Sequence, residues 1–192
     1  MIDLLLAAGA YVIGAIPFAY LFGRLFKHVD VRHTGSGNVG AMNAFKHVGR
    51  VTGILTVLAD IAKGALAVHL ALLYSDLPEL YLLAAFLVVL GHNYNIFLGF
   101  KGGKGLAALA GALIIISPLT IIYALILIAA IAFLVRDTNT AFGVGVLFLP
   151  ALLYFQTGSI IYVLTGLAIA LIIAAKHIKD FQAYREGRRA IF

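Results

Sequence analysis

Residues 106–135 read LAALAGALIIISPLTIIYALILIAAIAFLV, thirty residues without a single charge. How this run is divided decides the fold. A helix needs roughly 20 apolar residues to span a bilayer, so thirty is too long for one span and suits two short ones. Pro118 lacks an N–H, and its ring collides with the preceding turn, so it ends one helix and opens another. The run is therefore predicted as two spans, 106–117 and 119–135, turning at Ser117 and Pro118.

The same apolar density continues in both directions. Of 192 residues, 63% are hydrophobic and 11% charged, with a mean hydropathy of +1.06. That is too apolar for a soluble domain and fits a polytopic membrane protein. Further spans are expected near 3–23, 51–74, 80–98, 141–157 and 159–177. The predicted fold is all-α, a bundle of seven transmembrane helices, with six as the alternative count. The first run lacks the basic start and cleavage site of a signal peptide and reads as a retained helix. Without cysteine, disulfide and thiolate chemistry are excluded. No internal repeat or linker stands out, so residues 1–192 read as one integral membrane domain. Its only long polar connection is residues 27–50.

Charge bias tests the count. With seven spans, thirteen of the fourteen lysines and arginines fall on one side, and the opposite turns carry Asp76 and Glu79 but no base. This pattern puts the N-terminus outside and the basic loops and C-terminus in the cytoplasm. The net charge of +6 is then explained by topology and by anionic ligands or lipids, with no nucleic-acid partner.

Three polar islands share the basic side. The first, HTGSGNVGAMNAFKHVGR (33–50), holds Gly35, Gly37 and Gly40 in a G-x-G-x-x-G spacing. No strand precedes it, so a dinucleotide site is rejected. Glycines still let backbone N–H groups approach an anion, and a following helix start favours negative charge. Ser36, Asn38 and Asn43 add neutral polar groups, and Lys46 adds a cation. The second island, GHNYNIFLGFKGGKG (91–105), is not a Walker A loop, because Leu98 stands where its first glycine would be and Gly105 where Ser or Thr would be. Lys101, Gly102, Gly103, Lys104 and Gly105 before a helix start suit a phosphate cradle. A lone histidine at a helix end, such as His92, is more commonly structural. The third island, KHIKDFQAYREGRR (176–189), is read as a basic tail after the last helix that attracts acidic lipids, with His177 at the span's end facing inward. Asp60 and Lys63, three apart within the second long span (51–74), share a face and can neutralise each other as a structural pair. No carboxylate pair or histidine cluster has ligand spacing, so neither a metal nor a cofactor is expected.

Taken together, GSGNVGAMNAFK (35–46), DIAKG (60–64), GHNYNIFLGFKGGKG (91–105) and His177 with its basic tail resemble one family, the bacterial acyl-phosphate:glycerol-3-phosphate acyltransferases. The resemblance runs the whole chain in order. It implies seven transmembrane helices in the bacterial cytoplasmic membrane, a monomer, and an active site at the cytoplasmic face. It implies acyl transfer from acyl phosphate to the 1-hydroxyl of glycerol 3-phosphate, giving lysophosphatidate and phosphate. The substrate's own phosphate is the implied base. His177, Ser36 and Asn38 are the implied catalytic set, and the glycine loops, Asn43, Lys46, Lys101, Lys104 and Asp180 the substrate-binding set. The chain departs from the family pattern at Met42, Lys46, Asn93 to Asn95, Asn139, Phe142 and Asp180. Most of these lie near the implied glycerol phosphate pocket, where a different phosphorylated alcohol would show itself. A transporter of organic anions is the competing class, but paired repeats and helices broken at midplane, typical of transporters, are absent from the sequence.

Overall fold

A computed structural model describes residues 1–187, all in helices, turns and loops. Arg188 and Arg189 of the expected tail lie outside the described residues. Pro17 shapes the beginning. The stretch expected as one span, 3–23, is two helices, α1 (Ile2–Ala15) and α2 (Phe18–Lys27), bent by 41°. The proline pushes Ile16 to extended backbone, with φ −61° and ψ 116°. This leaves the Ala15 and Ile16 carbonyls outside the regular helical ladder, where lipid offers no donor. Distant side chains reach them: Asn95 Nδ2 donates to the Ala15 carbonyl at 2.5 Å, and Lys63 Nζ donates at 2.9 Å to the Ile16 carbonyl, which also accepts the Phe18 N–H at 3.2 Å.

The chain packs as two compact units, the first being Met1–Ile115. After α2 it continues through α3 (Ala41–His47), α4 (Arg50–Tyr74), α5 (Leu80–Asn93) and α6 (Leu106–Ile116), with single 3-10 turns at Val31–His33 and Ile96–Leu98. Two reciprocal glycine contacts bring helices to backbone distance. A methyl on Gly14 of α1 would overlap the Val88 carbonyl of α5, and one on Gly91 of α5 would overlap the Tyr11 carbonyl of α1. Gly64 and Gly111 do the same between α4 and α6, against Ala108 and Ile61. Small residues drive helix association in lipid, where apolar surface alone gives no preference for protein over acyl chain.

The second unit, Ile116–Phe192, holds α7 (Pro118–Val135), α8 (Thr138–Gly145), α9 (Leu149–Thr157) and α10 (Ile160–Arg185). The helix break expected at Pro118 is present. Pro118 opens α7, and the Ser117 and Thr120 hydroxyls bond each other at 2.8 Å beside it. The span expected at 141–157 starts earlier, because Asp137 Oδ1 accepts the Asn139 N–H at 2.8 Å and caps α8. A 3-10 turn, Val146–Phe148, then tightens the chain before Pro150, which cannot donate to the preceding turn. The last helix runs past residue 177 to Arg185, so the basic stretch read as a tail is helical that far.

Among the described residues, five helices are long and apolar enough to cross a membrane, six if bent α1 and α2 make one span. The chain is a multi-pass, all-helical membrane protein. The remaining apolar helix, α6, has eleven residues.

The glycine crossings carry a stability prediction. Gly91→Leu forces a side chain into the α1 backbone and should cost about 1–3 kcal/mol. A lowered midpoint of thermal unfolding in detergent checks it. Leucine at the open position Gly9, where nothing lies within 4 Å, should leave the midpoint near that of the parent.

Candidate active site

The polar connection after α2 is held by one carboxylate and one amide. Asp30 Oδ1 accepts the Arg32 backbone N–H and Nε, both at 3.0 Å, and Oδ2 accepts Arg32 Nη2 at 2.7 Å and Arg24 Nη2 at 3.1 Å. Both guanidiniums also lie over the Tyr20 ring, Arg32 at 4.9 Å and Arg24 at 5.7 Å from its centroid. The hydrogen bonds from Arg32, followed by the positive charges of Arg32 and Arg24, hold the Asp30 carboxyl well below the usual carboxylate range.

Asn43 organises the first glycine loop. Its Nδ2 faces the carbonyls of Val31 at 3.1 Å, Thr34 at 3.0 Å and Asn38 at 3.0 Å, and its Oδ1 accepts the Ser36 N–H at 3.1 Å. Expected to touch phosphate, Asn43 is buried and gives all these contacts to the loop's own backbone. Gly35 and Gly37 take left-handed backbone, φ 49° and 69°, and the Gly37 N–H closes a turn onto the Thr34 carbonyl at 2.9 Å. Asn38 N–H reaches Ser36 Oγ at 3.4 Å. Among the described residues, the N–H groups of Gly35, Val39 and Gly40 have no internal partner, so they are the loop's available donors. The expected contribution of a helix start here is small, because α3 is seven residues long. Lys46 and Met42 on it are exposed.

The second island differs from a simple cradle. Gly102 N–H donates to the Asn93 carbonyl at 3.2 Å and Gly103 N–H to the His92 carbonyl at 3.1 Å. These two glycines therefore cap the C-terminal end of α5, and their N–H groups are not offered to an anion as the sequence suggested. They are glycines because of crowding: a methyl on Gly102 would overlap the His92 carbonyl, and one on Gly103 the His92 ring. The cations of this loop are Lys101 and Lys104. Lys101 is exposed, Lys104 is half-buried, and α6 starts just beyond. Asn95, grouped by its position with the substrate pocket, is buried and internal: besides holding Ala15, its Oδ1 accepts the Phe97 N–H at 3.0 Å.

The fold brings the two islands together. A methyl on Gly103 would stand 3.0 Å from the Val39 carbonyl, so the loops touch at backbone distance. Behind them is a cluster that the sequence only half disclosed. Lys63 Nζ pairs with Asp60 Oδ1 at 2.8 Å, both side chains less than 5% exposed. The same Asp60 oxygen lies 3.5 Å from His92 Nδ1. The i, i+3 spacing of Asp60 and Lys63 was readable along the chain. The third member was not, because it comes from another helix.

In the second unit, His177 and Asp180 lie three apart on α10 and are both buried. His177 Nδ1 is 3.0 Å from the Ile173 carbonyl. A carbonyl only accepts, so in the neutral ring Nδ1 carries the proton and Nε2 is the acceptor. Gly143 of α8 packs against it: a methyl there would stand 2.9 Å from His177 Cβ. Phe142, beside it in α8, is partly buried.

These features define a multi-pass membrane protein in which two glycine-rich loops, each carrying lysine, meet at backbone distance. The comparisons narrow that class. The family pattern described as glycerol-3-phosphate acyltransferase matches residues 4–187. The glycerol-3-phosphate acyltransferase of Lawsonia intracellularis is 37% identical over 194 residues, covering 100% of this chain and 96% of that one. That of Syntrophotalea carbinolica is 35% identical, covering 93% and 91%. Among solved structures, the integral membrane glycerol 3-phosphate acyltransferase PlsY in its glycerol 3-phosphate form is similar with a TM-score of 0.91 at 28% identity, covering 100% of this chain and 96% of that one. Its lysophosphatidic acid form gives 0.89 at 27% identity. The chain belongs to the glycerol-3-phosphate acyltransferase family and is an acyltransferase.

Two predictions follow from the loop. Asn43→Asp replaces the donor with a carboxylate facing three carbonyls, so amide hydrogen exchange in residues 31–40 should speed by at least about tenfold while α5 is unchanged. Asp30, with its acidity raised in the fold, contributes stability above the normal aspartate titration near pH ~4 and loses it as pH falls further. Its arginines are open to water, so the contribution is below about 1 kcal/mol. Comparing parent and Asp30→Asn, the stability gap should be present at pH 7 and close under acid.

Proposed function

We propose that this protein transfers an acyl group from acyl phosphate to the 1-hydroxyl of glycerol 3-phosphate. The hydroxyl oxygen attacks the acyl carbonyl carbon, the bond from that carbon to the phosphate oxygen breaks, and lysophosphatidate and inorganic phosphate leave. The hydroxyl proton passes to substrate phosphate, so no strong protein base is required. The observation that carries this reading is the apposition of the two glycine loops, beside Lys104, in a chain of the glycerol-3-phosphate acyltransferase family. Both reactants carry phosphate, which suits one anion-handling face with several donors.

In this reading the N–H groups of Gly35, Val39 and Gly40 stabilise the oxyanion that develops on the acyl carbonyl. Ser36 and Asn38 orient the reacting groups. Lys101 and Lys104 hold phosphate as point charges, with Gly105 at the start of α6, and Lys46 adds an exposed cation. Gly37, Gly102 and Gly103 shape the loops, and Asn43 holds the first of them. The family resemblance assigns His177 a catalytic role and Asp180 a role in acceptor binding; both are buried on α10. The whole chain works as one domain and one monomer in the bacterial cytoplasmic membrane. Its seven segments are the five long helices, bent α1 with α2, and α6, with the N-terminus outside and the loops at the cytoplasmic face. The exposed apolar side chains of the helices meet lipid, from which the acyl chain enters.

Purified protein given acyl phosphate and a panel of phosphorylated alcohols should release phosphate and form lysophosphatidate from glycerol 3-phosphate. No product with any acceptor would sink this reading. Lys104→Ala should raise KM for glycerol 3-phosphate by about tenfold or more, the loss of a desolvated charge contact. His177→Ala should lower kcat by about a hundredfold.

A further inference from the structure

The buried cluster of Lys63, Asp60 and His92 has no place in the reaction just described, yet it reaches the second glycine loop. Its chain of contacts is continuous. Lys63 Nζ holds the Ile16 carbonyl at the Pro17 break (2.9 Å) and lies over the Phe18 ring, 5.6 Å from its centroid. It pairs with Asp60 at 2.8 Å, and Asp60 lies 3.5 Å from His92 Nδ1. The opposite edge of the same imidazole, Nε2, is where a methyl on Gly103 would collide. The His92 carbonyl takes the Gly103 N–H at 3.1 Å. One residue thus grips Gly103 through both its ring and its backbone, while Asp60 sets the ring.

A salt bridge needed only to neutralise two charges would not require an imidazole in contact with a loop glycine. All three side chains are less than 8% exposed, so the cluster is shielded and its geometry is held by direct contacts rather than by water. The loop glycine it grips lies next to Lys104 and against Val39 of the other loop.

We propose that His92 is a positioning residue for the phosphate site, with Asp60 orienting its ring and Lys63 neutralising Asp60. The imidazole seats Gly103 so that Lys104 and the start of α6 are presented in one register beside residues 35–40. This rests on the reading of Lys101 and Lys104 as phosphate-holding groups. The ligand chemistry is a phosphate, carried either by acyl phosphate or by glycerol 3-phosphate.

The test is full kinetics of His92→Ala and His92→Gln in detergent, varying each substrate separately at saturating concentration of the other. His92→Ala should raise KM for one of the two substrates about tenfold or more, with kcat within about threefold of the parent. The substrate whose KM moves is the one the loop holds. His92→Gln keeps a side-chain N–H near Asp60 and should recover most of the loss. Gly103→Ala should be severe in the parent and milder on the His92→Ala background, where the ring it strikes is gone. A folded His92→Ala protein, judged by a monodisperse elution peak and retained thermal transition, with both KM values unchanged would overturn the proposal. Reduced yield and kcat with both KM values unchanged would also overturn it, since that is the mark of a structural residue alone. Failure of the parent to form product would instead overturn the acyl-transfer reading, so the two failures are distinguishable.

Discussion

Lys63 and Asp60 are opposite charges buried among helices where no bulk water can solvate them, and the rest of the first unit is arranged around that constraint. Each makes the other tolerable, since removing one partner of such a pair costs about 3–5 kcal/mol. Neither stops at the pair. Lys63 extends to the carbonyl that the Pro17 break leaves outside the helical ladder, and Asp60 extends to His92. A helix break, a long helix and the end of a third helix are thereby tied at one point. The break is tolerated because a charged donor meets it, and the donor is tolerated because a carboxylate meets it.

Glycine serves two different ends here. Along α1, α4, α5 and α6 it removes side chains so that backbones can meet, which substitutes for the hydrophobic drive that lipid abolishes. In the basic loops it was expected to bare N–H groups for an anion. In residues 35–40 glycine does leave N–H groups without an internal partner, at Gly35 and Gly40 among the described residues. At Gly102 and Gly103 it does not, because both N–H groups complete hydrogen bonds at the end of α5. The glycines of that loop fold it tightly against His92, and Lys101 and Lys104 are the cations it carries ahead of α6.

Much of the candidate site was legible. The two glycine-rich islands, their lysines and His177 stand out because polar residues in an apolar chain are costly, and few are present without a reason. The roles of individual polar groups were less legible. Asn43 reads as a ligand-binding amide in the sequence and Asn95 as part of a departure from the family pattern near the implied pocket, yet both are buried and bonded to backbone. An amide binds a carbonyl of its own chain as readily as a phosphate, and nothing in its local sequence distinguishes the two. His92 reads as a lone histidine at a helix end, because the carboxylate it meets, Asp60, lies far away in sequence.

The sequence by itself determined that the chain lies in a membrane and that its run at 106–135 breaks at Pro118. Hydropathy and proline act locally, so runs such as residues 106–135 and the break at Pro118 follow from neighbouring residues alone, whereas the bend at Pro17 divides a stretch that reads as a single span at 3–23. The two polar loops and their charge were likewise set by local composition. The tertiary structure alone decided which donors meet which acceptors: Lys63 with Ile16, Asn95 with Ala15, His92 with Asp60, and Gly103 with Val39. Each of these contacts joins residues far apart in the chain, and a hydrogen bond or a close packing contact depends on distances of a few ångströms that only the packed helices establish.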